Sequence, residues 1–94
     1  MGGFVYIMSN RRNGTLYAGV TSDLVRRVEQ HRSGAGSEFV RRYGLYRLVY
    51  YERHEDILTA IQREKAIKTW MRAWKVRLIQ RSNPEWEDLS QELM

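Results

Sequence analysis

The chain has 94 residues, 43% of them apolar and 29% charged, with no cysteine and a formal net charge of +5. That length suits one small domain, 1–94, and the lack of cysteine excludes disulfides and thiolate metal sites. No run approaches the ~18 apolar residues of a membrane span, and Met1-Gly2-Gly3 lacks the basic and apolar regions of a signal peptide, so a cytoplasmic protein off the membrane is expected.

In chain order, Phe4 to Ser9 is β-branched and aromatic, which predicts a strand. Asn13-Gly14 signals a hairpin turn, and Thr15 to Val20 is the return strand. Thr21, Ser22 or Asp23 caps a helix over Leu24 to Arg32, which Gly34 and Gly36 break. Glu38 to Tyr43 is a short helix closed by Gly44. Leu48 to Tyr51 is a third strand. Asp56 caps a long helix from Ile57 to about Met71, and a second helix over Trp74 to Arg81 follows with little break. Asn83-Pro84 ends it, and Glu85 to Glu92 holds a last turn or two. Trp70, Trp74 and Trp86 are expected in the core or in helix packing, and His54 stands alone. The order predicts an α+β fold, a small three-stranded antiparallel sheet with helices packed on it.

The first helix places chemistry beside the tyrosine-bearing strands. At about 100° per residue, Leu24, Val25 and Val28 form its apolar stripe, and Arg27 and His31 share one face along the edge of that stripe. Arg27 reads either as an exposed cation or as a cleft residue, and His31 either as a boundary histidine or as a proton carrier. Arg26 points away from them. With Tyr6 and Tyr17 nearby, the set offers phenols, an imidazole and a guanidinium, all useful in phosphodiester chemistry.

Glu64 is the sharper oddity. On its helix Ile57, Ala60, Ile61, Ile67 and Met71 lie on the same side, so an acid occupies the middle of the apolar stripe. Burying an unpartnered carboxylate costs several kcal/mol, roughly, so Glu64 is paired, metal-bound or at the rim of a pocket. The plain alternative is an i,i+4 pair with Lys68, which contributes only about 0.3–0.5 kcal/mol when exposed. A hard divalent cation such as Mg²⁺ suits the position, with waters and substrate phosphate completing its shell.

The charge is uneven. Thirteen of the sixteen basic residues are arginine, whose planar fork fits phosphate. Ile61 to Arg81 holds seven Lys/Arg and one acid, and Ser82 to Met94 holds four acids and no base. A basic body with an acidic tail suggests a polyanionic partner, DNA or RNA. Arg26, Arg41, Arg42 and Lys68 are the candidate phosphate contacts, with solvated surface charge as the other reading of each.

Taken in order, these residues resemble the GIY-YIG endonuclease family, and its small stand-alone members above all. Val5-Tyr6-Ile7 stands where the family has Gly-Ile-Tyr, and Tyr17-Ala18-Gly19 where it has Tyr-Ile-Gly. Thr21, Asp23 and Arg26 to His31 are similar to its helix signature. Ala60 to Lys65 resembles its third motif, whose glutamate binds metal, and Asn83 falls near a later asparagine. The first motif lacks its glycine and isoleucine, and Val20 and Thr21 occupy the region where some members have a lysine. The resemblance implies a Mg²⁺- or Mn²⁺-dependent endonuclease acting on DNA with low sequence specificity, in repair or on particular DNA structures, with any targeting supplied by a protein partner. It implies Glu64 as metal ligand, Arg27 as stabiliser of transition-state charge, Tyr6 or Tyr17 acting on the attacking water with His31 in support, and Asn83 closing the site. The alternative is a nucleic-acid-binding module of a larger assembly that grips without cutting.

Overall fold

Gly3–Ser9 forms β1 and Leu16–Thr21 forms β2, antiparallel partners with Tyr6 opposite Gly19 and Met8 opposite Tyr17. The computed structural model describes residues 2–34 and 37–93. The hairpin turn is longer than an Asn-Gly dipeptide alone would give. Asn13 takes a left-handed φ of 58°, the Gly14 amide donates to the Arg11 carbonyl, and the Asn10 side chain accepts from the Thr15 amide.

Helix α1 spans Leu24–Arg32, the predicted bounds, because the Asp23 carboxylate accepts from the Arg26 amide at its start. Gly34 follows with φ 82°; the expected break at Gly36 lies outside the described residues. Helix α2 spans Glu38–Tyr43, capped by Ser37 and ended by Gly44 at φ 63°, a conformation that costs glycine nothing. Strand β3, Arg47–His54, pairs antiparallel with β1, giving the sheet order β2-β1-β3 with an irregularity between Ile7 and Met8.

Helix α3 covers Ile57–Thr69 and α4 covers Arg72–Ser82. The expected run to Met71 stops earlier. Trp70 and Met71 both adopt extended backbone, ψ 151° each, so the chain turns there without any glycine or proline to announce it. Beyond α4, a 3₁₀ turn covers Leu89–Leu93.

The sheet separates two apolar layers, as its period of two requires. Tyr6 and Met8 face Leu24 and Val28 of α1, Val40 of α2, and Leu45 and Leu48. Val5, Ile7, Ala18 and Val49 face Ala60 and Ile67 of α3, Leu78 and Ile79 of α4, and Trp86. The three tryptophans part company: Trp86 is fully buried, Trp70 is half-buried, and Trp74 is 49% exposed. Met71, placed by the helical wheel in the stripe, is exposed. None of the described helices is long and apolar enough to cross a membrane.

Candidate active site

Tyr6 rises from the central strand toward α1 and is fully buried. Its hydroxyl lies 3.0 Å from Nε2 of His31, in the last turn of α1. His31 is 2% exposed, so the edge position read from the helical wheel is an interior one. Gly19, opposite Tyr6 on β2, makes the fit possible: a Cβ there would stand 2.5 Å from Cζ and the hydroxyl of Tyr6. Tyr17, two residues before it, points to the same face. The Tyr6 and Tyr17 rings are 6.4 Å apart, and each meets the His31 ring nearly edge-on, at 5.6 and 5.7 Å.

Burial sets the electrostatics of this cluster. The Tyr6 phenol is pushed up to about 12, chiefly by loss of water, with the neighbouring Tyr17 and the Glu64 carboxylate adding to it. The Arg27 guanidinium beside the hydroxyl pulls the other way. His31 is pushed below its ordinary value by burial and then by Arg27, which favours the uncharged imidazole. Its Nδ1 is buried without a partner among the described residues.

Arg27 is half-buried and lines a polar crevice of about 190 Å³ with Thr21, Ser22, Asp23, Arg26 and Gln30. Arg26, expected to point away, thus shares this crevice with Arg27. The wheel separates them, but the crevice runs along the first turn of α1, where both side chains reach its walls.

Glu64 belongs to the opposite layer. It sits on the buried line of α3 between Ala60 and Ile67, 8% exposed, where the pattern placed it. Its Oε2 pairs with Lys68 Nζ at 2.8 Å, and that Nζ lies 5.8 Å from the centre of the Tyr17 ring. Tyr6, Tyr17, Arg27 and His31 therefore form one group, and the Glu64 carboxylate lies near enough to help raise the Tyr6 phenol. Lys68, a candidate phosphate contact, is half-exposed and pairs with Glu64, as the i,i+4 spacing allowed.

Asn83 is corrected too. It is 5% exposed, and its amide donates to the Val49 and Glu87 carbonyls while accepting from the Glu87 amide. With those bonds made, it ties the segment after α4 to β3 and has no donor left to close a site. Arg41 and Arg42 are exposed on α2, and Arg42 lies over the Tyr43 ring at 5.8 Å.

Three features escaped the sequence reading. Phe39 of α2 stands 6.3 Å from Tyr17 and 4.8 Å from Tyr43, extending the aromatic wall of the site to the surface. His54 does not stand alone: its Nε2 meets Glu52 at 2.6 Å, and Glu52 also takes the Tyr50 hydroxyl and Arg63. The alternation of Tyr50, Glu52 and His54 on one strand face was the available signal. The third is the role of Gly19, named there only as part of a motif, whose missing side chain makes room for the Tyr6 hydroxyl.

Among the described residues, no three His, Cys, Asp or Glu side chains converge as metal ligands. Glu64 is one buried carboxylate, and a single carboxylate fits Mg²⁺, which retains several waters and is held by one or two carboxylates with substrate phosphate.

The sequence model of one family matches residues 2–77, and its description is the GIY-YIG catalytic domain. The chain is 41% identical over 76 residues to a UPF0213 protein of Staphylococcus aureus strain Mu3, covering 81% of this chain and 92% of that one, and equally to one from strain Mu50. A UPF0213 protein from Bacillus halodurans, solved by solution NMR, has the same fold at a TM-score of 0.59 and 30% identity, covering 97% of this chain and 96% of that one. The chain therefore belongs to the GIY-YIG family, and residues 2–77, which hold Tyr6, Arg27, His31 and Glu64, match its catalytic domain.

Proposed function

We propose that the chain is a metal-assisted endonuclease that hydrolyses phosphodiester bonds in DNA with little sequence specificity. The observation that carries this reading is the Tyr6–His31 hydrogen bond with Arg27 beside it. A phenol raised to about 12 is a weak acid, yet one bound to a neutral imidazole can take a proton from a water that enters with the substrate while passing its own to His31 Nε2. Tyr6 is thus the relay between water and His31, and Tyr17 is the wall that orients the incoming group. Arg27, half in the crevice, neutralises the charge that builds on the phosphate. Arg26 helps to seat the backbone, and Arg41 and Arg42 hold flanking phosphates beside the aromatic surface of α2. Glu64 is the residue that would hold Mg²⁺ or Mn²⁺. When bound, such a cation polarises the phosphate and stabilises the leaving oxygen.

The Glu64–Lys68 pair favours a second reading. A carboxylate already neutralised at 2.8 Å is what a nucleic-acid-binding module without metal would retain. Cleavage of labelled duplex, branched and single-stranded DNA, with and without Mg²⁺, separates the two. The nuclease reading expects metal-dependent products ending in 5′-phosphate and 3′-hydroxyl, abolished in Arg27→Ala. Metal-independent binding without any product supports the module.

A further inference from the structure

The extended Trp70 and Met71 leave an open angle between α3 and α4, on the layer opposite Tyr6 and His31. That angle holds a groove of about 310 Å³ lined by Arg63, Trp70, Trp74, Arg77, Leu78 and Arg81. Trp70 and Trp74 meet edge to face at 6.1 Å. The Arg63 guanidinium lies 5.1 Å from the centre of the Trp70 ring, and Glu52 fixes it there through bonds of 3.0 and 3.3 Å. Arg63 and Trp70 are therefore held in place. Trp74, half-exposed, offers open ring surface beside them.

Positions 74, 77, 78 and 81 fall on one stripe of α4. Arg77 and Arg81, one turn apart and exposed, make no ion pair among the described residues. Two unpaired guanidinium groups beside an indole face call for a ligand that is both flat and anionic. A nucleotide with its base unstacked from its neighbours supplies both, since stacking on aromatic rings and phosphate contacts to arginine are the two means by which single strands are held. A duplex keeps its bases stacked on one another and offers no free face to Trp74.

We propose that this groove is a second nucleic-acid site, in which an unpaired base stacks on Trp74 while Arg77 and Arg81 hold the adjacent phosphates. The site extends the nucleic-acid reading of the catalytic crevice to a single-stranded segment, and its binding requires neither metal nor cleavage.

Tryptophan emission reports on it directly, because Trp86 is buried away from any ligand. The full chain is titrated in EDTA with oligothymidylate of about a dozen nucleotides, with a duplex of equal length, and with polyglutamate. The expected result is saturable quenching by oligothymidylate, weaker quenching by duplex and none by polyglutamate. Trp74→Ala should weaken oligothymidylate binding roughly 5- to 100-fold, and Trp74→Phe should restore most of it. Arg77→Ala with Arg81→Ala should lower the salt slope by about 1.4. Far-UV circular dichroism establishes that each variant is folded. Unchanged oligothymidylate binding in folded Trp74→Ala, or stronger quenching by polyglutamate, overturns the proposal, the latter making the groove a seat for acidic peptide. Native chain that quenches but never cleaves keeps the groove and loses the nuclease reading; chain that cleaves without quenching does the reverse.

Discussion

The Tyr6 hydroxyl and Nε2 of His31, 25 residues apart in sequence, stand 3.0 Å apart in the interior and join the central strand to the last turn of α1. Removing the phenol tests both of its duties. Tyr6→Phe leaves His31 Nε2 without its partner in a buried place, and Nδ1 already lacks one. The expected cost is about 1–3 kcal/mol of stability by denaturant unfolding. Cleavage should fall roughly 10²- to 10⁴-fold while DNA affinity changes little. A variant that cleaves at the native rate would remove Tyr6 from the proton path.

Gly19 gives a sharper version of the same test, because nothing chemical is deleted. An alanine Cβ there meets Tyr6 Cζ and hydroxyl at 2.5 Å, so the phenol must move. Gly19→Ala should cost about 1–3 kcal/mol and depress cleavage nearly as far as Tyr6→Phe. Native activity in this variant would mean that the hydroxyl need not hold its place.

Two pH dependences follow from burial. His31 must be uncharged to receive a proton, and its pKa lies below the ordinary 6.5. The acid limb of the cleavage profile should therefore have its midpoint below pH 6.5, and a midpoint above that value contradicts the assignment. In stability the unfolded chain takes up the His31 proton first, so stability is lost as pH falls below 6.5. At the alkaline end Tyr6 keeps its proton up to about 12, against 10.0 when unfolded. Its contribution, on the order of 2–3 kcal/mol, is present below pH 10 and lost as pH rises through 12. Tyr50, also pushed up to about 12, loses stability over the same window. Tyr6→Phe should reduce the pH slope of stability there by about one proton without abolishing it.

Lys68 competes with any cation for Glu64. Lys68→Ala should therefore lower the Mg²⁺ concentration for half-maximal cleavage, by roughly 2- to 5-fold for a half-exposed pair. An unchanged or higher requirement would show that the ammonium does not guard the carboxylate.

Asn83→Ala removes three bonds to the backbone of Val49 and Glu87. The expected loss is about 2–4 kcal/mol in thermal or denaturant unfolding, with DNA affinity unchanged below the melting temperature. Weakened DNA binding by a fully folded variant would return Asn83 to the site.

The elements were legible wherever a local signal existed. Asp23 and Gly44 set the bounds of α1 and α2 because capping is decided within a few residues. Two helices were expected after Asp56, but the break falls at Trp70 and Met71, a residue or two earlier than read, since no residue there disfavours helix. In the site, Glu64 stood out as an acid in an apolar stripe, and its burial followed from the same periodicity. Asn83 was misjudged because one of its partners, Val49, comes from a strand 34 residues away. Trp74, expected in the core or in helix packing, meets Trp70 edge to face but stays half-exposed, because residue type alone does not say which side the rest of the chain covers.

Single-turnover cleavage of labelled DNA in Mg²⁺, comparing the native chain with Glu64→Gln, asks whether Glu64 holds a metal that cleavage requires. Glutamine keeps the volume and removes the charge. The expected result is Mg²⁺-dependent cleavage by the native chain, falling by at least roughly 10²-fold in Glu64→Gln with DNA affinity retained. Equal rates in the two proteins, or equal rates with and without the metal, would contradict it.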